Sequence, residues 1–478
     1  MTLNSSEALP QVNVTVNDGG LRVAPPQLGP KLTILGTTNA AAITTNEAYV
    51  VADLAKAVKD LRDADNEPSE LSLAVEEAFA AGARNVEVVK IATTDAVYTT
   101  DKATGDYDSD LRYAALAATY DILLHHPVDI VVPLNAWHDD ADLSTGHFSK
   151  QLADFCYQST KENNSGFGVI APMHPAVHAQ RQDGSFATWI ADYDAEVGSF
   201  GDVTLTQLNA WVTDLTSISN ADLNDYVDGS DDVAYATDYK TAWTASDSTL
   251  GATGTAVDGN GLWVDSGQFI SVIAAPNRYV GPEARKLSAA STSNKGKNFV
   301  NSDGAIAYAA KLTTLDPHIA ATNQTIFGQR SARALSASQA KSLLNARYVS
   351  MFSKPTGYVI SSAITGAHNA STSIRSDFVR VTTVRITQAV VDAVRDAGEA
   401  FIGKPISTPY VNAMEAQIES TLQQIARAGA IRSYDFAITS TPDQQVLGEV
   451  SVSLTIVPAF ELTTVNATVS LTKGEGIG

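Results

Sequence analysis

A single cysteine, Cys156, leaves no partner for a disulfide within the chain, so stability has to come from burial and assembly. Charge is also scarce. Only 18% of residues are Asp, Glu, Lys or Arg, and basic residues number 32 against 53 acidic ones, for a formal net charge of -21. That acid excess argues against direct contact with nucleic acid or an anionic membrane, and suits a protein that must stay soluble before it assembles. Long apolar runs are missing as well. The stretch from Phe269 to Pro276 is among the longest and is far below the roughly 20 residues of a spanning helix, so no membrane insertion is expected. The opening Met-Thr-Leu-Asn-Ser-Ser-Glu has neither a basic nor an apolar region of a secretory signal, and folding in a cytoplasm is expected.

Catalytic grammar is thin. There is no GxSxG elbow, no P-loop, and no dinucleotide fingerprint opening a helix; Gly474, Gly476 and Gly478 mimic part of one where the sequence ends. His125 and His126 are adjacent and point apart at a helix end, where histidine suits the dipole. Trp137-His138-Asp139-Asp140 with His147 has no standard metal spacing. His174 and His178 stand four apart, but Pro172 and Pro175 disfavour a regular helix and no Glu lies between them. Asp228-Gly-Ser-Asp-Asp232 lacks the twelve-residue calcium-loop pattern. Cys156 sits in an apolar helical context that favours an inert thiol. Each is read as structural, with no cofactor and no metal expected and an enzyme disfavoured. A hydrolase built around His138 and Asp139 is the residual enzymatic alternative.

What the chain does have is a clear pattern from Phe378 to Leu471, read as helix, helix, strand, strand, strand. From about Thr383 to Ile402, Ile386, Val390, Val394, Ala397 and Phe401 recur three and four apart and form one stripe. Gly403 and Pro405 end that helix. Thr408 precedes Pro409 as a cap followed by a first-turn proline. The second helix is expected to bury Val411, Met414, Ile418, Leu422 and Ile425 and to stop at Gly429. The period then changes to two. Tyr434, Phe436 and Ile438 form one strand, Val450, Val452, Leu454 and Ile456 a second, and Leu462, Val465, Val469 and Leu471 a looser third.

Earlier parts of the chain divide by composition. Residues 1–30 read as an arm: Val12, Val14 and Val16 alternate with polar residues before Asp18-Gly19-Gly20 and a proline-rich link. Such a strand cannot bury itself alone and needs a sheet edge. From Lys31 the pattern is α/β. Strands are expected at Lys31–Leu35, Asn85–Ile91, Asp129–Leu134 and Gly166–Ala171. Helices are expected at Glu47–Arg62, from Ser69 to Gly82, and at Leu111–Leu124, with a polar loop at Asp101–Asp110. That alternation implies a mostly parallel sheet. Between Asp183 and Ile270 there are fifteen acidic residues and one basic residue, Lys240, which reads as an outward-facing, solvated insertion. Arg278–Lys297 reads as a loop and Ala305–Lys311 as a helix. A further helix is expected from Ser336 or Ser338 through Leu344, strands at Arg347–Phe352 and Gly357–Ile364, and a turn-rich joint at His368–Ser373.

The residues from Val381-Thr-Thr-Val-Arg-Ile386 through the two helices, Ala428-Gly-Ala-Ile-Arg-Ser-Tyr434, Thr441-Pro-Asp-Gln-Gln445 and Gly448-Glu-Val-Ser-Val-Ser-Leu-Thr-Ile-Val-Pro458 resemble the C-terminal domain of contractile tail sheath proteins. These occur in phages with contractile tails and in related injection machines. Ile34-Leu35-Gly36, the stretch Ala78-Phe79-Ala80-Ala81-Gly82-Ala83-Arg84-Asn85-Val86-Glu87-Val88-Val89, and Leu111 to Pro133 are similar to the family's N-terminal block; Ala305–Phe327 matches it loosely. The resemblance covers about two thirds of the chain, the acidic middle excepted.

It implies an α/β fold with an α+β closing domain and extended terminal arms. The expected divisions are 1–30 arm, 31–180 α/β domain, 181–300 acidic insertion, 301–461 return segment and inner domain, and 462–478 arm. It also implies a structural subunit that forms stacked six-fold rings around an inner tail tube protein, with baseplate and tail terminator proteins at the ends. Contraction would drive the tube through a target envelope. The location implied is the virion, after assembly in the bacterial host cytoplasm. Strand exchange between copies falls to Val12, Val14, Val16, Leu462, Val465, Val469 and Leu471, and Lys404, Arg427 and Arg432 are the candidate tube contacts. A different self-assembling shell or adhesion protein is the alternative.

Overall fold

The computed structural model describes residues 30–63, 66–92, 109–138, 148–161, 164–171, 262–275, 277–290, 300–331, 343–344, 348–355, 357–367, 377–447 and 449–462. The fold is mixed α/β. Its core is a nine-stranded sheet whose central strands are mostly apolar and mostly buried. They are β1 (Leu32–Gly36), β3 (Val86–Lys90), β4 (Ile130–Pro133), β5 (Phe167–Ile170), β6 (Ile270–Ala274) and β11 (Tyr348–Lys354). All five residues of β1 and β6 and all four of β4 and β5 are buried, the pattern of strands covered on both faces. The order is β2-β3-β1-β4-β5-β6-β11-β12-β9. The run from β3 to β11 is parallel. The short edges β2 (Ala48–Val50), β12 (Gly357–Ile360) and β9 (Thr325–Ile326) are antiparallel.

Helices α1 (Leu54–Asp60), α2 (Glu70–Ala81), α3 (Ser109–Leu123), α4 (Phe148–Lys161) and α6 (Ala305–Thr313) cover this sheet. Ser69 and Ser72 form a reciprocal cap at the start of α2, and Gly82, at φ 115°, ends it. Helix α6 is buried nearly all round, with Ile306, Tyr308 and Leu312 inside, as expected of a helix enclosed on every side. Four of its nine residues are alanine, which lets it lie close to α2 and to the strands. Gly168 on β5 has the same role opposite α4: a Cβ there would stand 2.6 Å from the Leu152 side chain.

A second sheet, ordered β10-β7-β8, consists of β7 (Asn277–Tyr279), β8 (Val300–Ser302) and β10 (Gln329–Ser331), with α5 (Pro282–Ala290) leading from β7 toward β8. The chain then closes with α7 (Val381–Glu399), α8 (Thr408–Arg427), β13 (Ile431–Thr439), α9 (Pro442–Leu447) and β14 (Ser451–Pro458). These last elements enclose a separate small core of Ile386, Val390, Ala397, Met414, Ile418, Leu422, Ala430 and Ile431.

Most expected elements are present, and the departures have physical causes. Glu47–Arg62 is not one helix. Residues Ala48–Val50 pair with β3, and Asp53, accepting from the backbone of Ala55 and Lys56, starts the helix only at Leu54. The three-and-four spacing of Val51, Leu54, Val58 and Leu61 serves a strand followed by a helix equally well. Arg278–Lys297 is not a loop but holds β7 and α5. The expected insertion at 181–300 takes in residues 262–290, yet β6 lies between β5 and β11 in the main sheet, so an insertion does not reach to 300. Ser407, not Thr408, occupies the cap of α8. The stretch Thr441–Gln445 leads into α9, begun by a Thr441–Gln444 reciprocal cap with Pro442 in the first turn. Residues 181–261, the helix start at Ser336 or Ser338, and the joint at His368–Ser373 lie outside the described residues.

Candidate assembly surface

Open α/β sheets usually bind ligands beyond the carboxyl ends of their strands. Here that end of β1 and β4 is filled by the protein's own ion pair. Arg112, 1% exposed, donates through Nη2 to Glu70 Oε1 at 2.5 Å and through Nε to the Leu134 carbonyl at 3.0 Å. Glu70 also accepts from Thr37 and Asn135. The histidines are likewise held in structure. His126 bonds Glu87 at 2.9 Å beside Lys31, and buried His138 packs edge-on against Tyr348. Burial pushes the Cys156 thiol upward, away from thiolate chemistry. Asp139, Asp140, His147, His174, His178 and Asp228 to Asp232 lie outside the described residues.

The two cores meet along a seam. Helix α7 belongs to both: Val381 and Val384 pack in the large core, Ile386 and Val390 in the small one. Polar bonds fasten the seam along its length. Gln388 donates to the Gly166 carbonyl at 2.9 Å, Ser165 to Asp392 at 2.7 Å, and Arg395 to the Thr160 carbonyl at 3.0 Å. Arg385 donates to the Leu315 carbonyl at 2.9 Å, and burial holds its guanidinium down to about 10.

The small unit is incomplete as a fold. Its sheet has two strands, β13 and β14, each with one partner among the described residues. The side chains that face its helices, Tyr434, Phe436, Leu454 and Ile456, are only half-buried. A two-stranded ribbon is marginal alone, and two helices do not cover this one. Beyond β14 the chain runs outward: Ala459 still bonds the Ala430 carbonyl at 2.9 Å, Phe460 stacks on Arg380, and Leu462 is 80% exposed. Of the residues expected to exchange strands, Leu462 alone is described, and it lies just past the last strand; Val12, Val14, Val16, Val465, Val469 and Leu471 fall outside the described residues.

The three basic candidates are exposed but do not converge. Arg427 ends α8 and Arg432 sits where the register of β13 shifts between Ile431 and Ser433, a bulge that re-aims a side chain. Lys404 lies before the other end of α8, roughly 30 Å away at about 1.5 Å per residue. There its ammonium stands 4.7 Å from the Phe401 ring and 5.9 Å from the Tyr410 ring, beside Ile402, 81% exposed. Sequence reasoning passed over that apolar tip, because Ile402 reads as one more residue of a helix that in fact ends at Glu399. It also passed over Glu461, whose partner Arg380 is distant in sequence.

No family model matches the chain, and no curated protein matches it in sequence. Solved structures do match in fold. A chain of the six-fold symmetrised anti-feeding prophage baseplate is 10% identical, with a TM-score of 0.57 over 98% of this chain and 99% of that one. A chain of the contracted sheath complex of PVC, an extracellular contractile injection system, is 12% identical, with a TM-score of 0.56 over 98% of both. The sheath tail protein of Listeria innocua is 9% identical, with a TM-score of 0.50 over 91% of this chain and 96% of that one. The chain thus shares the fold of contractile sheath proteins across nearly its whole length.

Proposed function

We propose that the chain is a structural subunit of a contractile sheath, acting by assembly and not as an enzyme. The observation that carries this reading is a small closing unit with a two-stranded, half-covered sheet, in a chain whose full length shares the sheath fold. Strand addition satisfies an open sheet edge with main-chain hydrogen bonds, and apolar residues at alternate positions finish the core. In this reading the arm around Val12, Val14 and Val16 and the arm from Leu462 through Val465, Val469 and Leu471 supply strands to the closing units of neighbouring copies.

The copies stack as six-fold rings around an inner tube, with baseplate and terminator proteins at the ends. Arg427 and Arg432 form one contact with the tube and Lys404 a second, separate one. The larger sheet moves as a near-rigid body during contraction while the arms keep copies tied, and the motion drives the tube through the target envelope. The acid excess between Asp183 and Ile270 adds charge repulsion that opposes premature association of copies. The particle is a phage tail or a related injection machine, assembled in the host cytoplasm.

Electron microscopy of the purified chain tests the reading. Hollow cylinders of helical symmetry are expected; closed shells, or a monomer at every concentration, would replace it with another kind of structural protein.

A further inference from the structure

Two adjacent glutamates on α2, Glu76 and Glu77, hold segments more than two hundred residues further along the chain. Glu76 accepts from the backbone of Glu283 at 2.9 Å and from the Tyr279 hydroxyl. Glu77 accepts from Ser302 at 2.7 Å and from Gln329 at 2.6 Å, both on Oε1. These partners lie on β7, β8, β10 and α5, so the pair fastens the whole three-stranded sheet to α2. The neighbourhood is rich in acid. Glu76, Glu77 and Glu283 gather around Tyr279, Asp303 adds its charge at Glu77, and the guanidinium of Arg62 is committed to Glu283. No cation is bonded to Glu77 among the described residues. Gln329 Oε1, buried next to it, has no donor. An amide turned end for end presents that oxygen to Glu77 instead, and that arrangement requires a proton on the carboxyl.

We propose that Glu77 is a proton-held staple: its neutral carboxyl fastens the three-stranded sheet to α2, and loss of that proton loosens the sheet. Burial pushes Glu77 up to about 8, against the opposing hydrogen bonds from Ser302 and Gln329, and burial pushes Asp303 up to about 6. Glu76 is also raised by burial. A carboxyl that prefers its proton when folded contributes stability in full below its ordinary value near 4.5, and that contribution falls as pH rises to about 8. Above Asp303's range, between pH 6.5 and 8, the remaining slope belongs chiefly to Glu77.

Hydrogen exchange of the full chain, corrected for intrinsic rates, reads the staple directly. Between pH 6.5 and 7.5 the opening constant of amides in β8 and β10 should rise by close to tenfold, the slope for one released proton, and level off as pH passes about 8, while β1 and β4 stay protected. Glu77→Gln, a neutral isostere, should remove that slope. A flat wild-type profile, or the same slope in Glu77→Gln, overturns the proposal. Should Glu77→Gln fail to fold, infrared spectra of the wild type decide: the carbonyl stretch of a protonated carboxyl is expected at pH 7 and lost toward pH 9, and its absence at pH 7 overturns the assignment.

Discussion

The Glu461 carboxylate lies 3.9 Å from Nε of Arg380, at the point where β14 has ended and the chain leaves the small core. Its Oε2 is buried without a hydrogen-bond partner among the described residues, and the Tyr308 hydroxyl lies close enough to feel its charge. Burial raises Glu461 above the usual carboxylate range, and Arg380 opposes that rise only in part. The sign is that of a buried acid short of counter-charge. Its contribution to stability is complete below the ordinary carboxylate value and declines as pH rises through the raised one. Glu461→Gln should therefore cost nothing at neutral pH and flatten the acid limb of the stability profile. Arg380→Ala, which strands the carboxylate, should destabilise by about 1–2 kcal/mol, a buried-pair loss reduced by the exposure of the arginine. Urea titrations from pH 4 to 8 on the three proteins check both.

Coupling between the two cores should depend on Gln388. Its side chain is buried and bonded to the Gly166 carbonyl, so Gln388→Ala leaves a carbonyl unsatisfied and should cost about 1–3 kcal/mol. With Ser165→Ala added, the second seam bond is also lost. Calorimetry should then resolve two transitions, the small core melting first; a single transition at unchanged temperature would show the seam to be held by other contacts.

Leu422 is fully buried in a core of few residues. Leu422→Ala should cost about 2–5 kcal/mol, enough to unfold the closing unit while the nine-stranded sheet persists. Proteolysis should then cut beyond residue 399 and leave the earlier chain intact.

Gly168 tests the packing of the large sheet. An added methyl group meets Leu152 at 2.6 Å and Ile270 at 2.9 Å, and Gly168→Ala should destabilise by about 1–3 kcal/mol through overpacking. Pairing it with Leu152→Val should return part of that loss in thermal melts.

How much of this was legible in the sequence depended on how local each signal is. Helix α2 was readable end to end, because Ser69, the stripe of Leu71, Val75 and Phe79, and Gly82 are all local. The stripe on α7 and the stop at Gly429 were readable for the same reason. Strand β6 was visible as an apolar run, but its place between β5 and β11 was not, since its pairing with β5 spans the chain from Ile170 to Ile270. Composition misled over 278–290, where polar residues form β7 and α5 because their partners, Glu76 among them, lie far away in sequence. Of the candidate site, Lys404, Arg427 and Arg432 are exposed, with Lys404 before the start of α8 and Arg427 at its end.

The central claim is that copies complete one another through strands, and a truncation tests it most directly. Deleting residues 1–24 removes the strand proposed at Val12, Val14 and Val16 and no residue of either core. Circular dichroism and sedimentation should report a folded, soluble protein, and electron microscopy should show hollow helical cylinders from the full chain and none from the truncated one. Cylinders of normal order from the truncated chain would contradict the account.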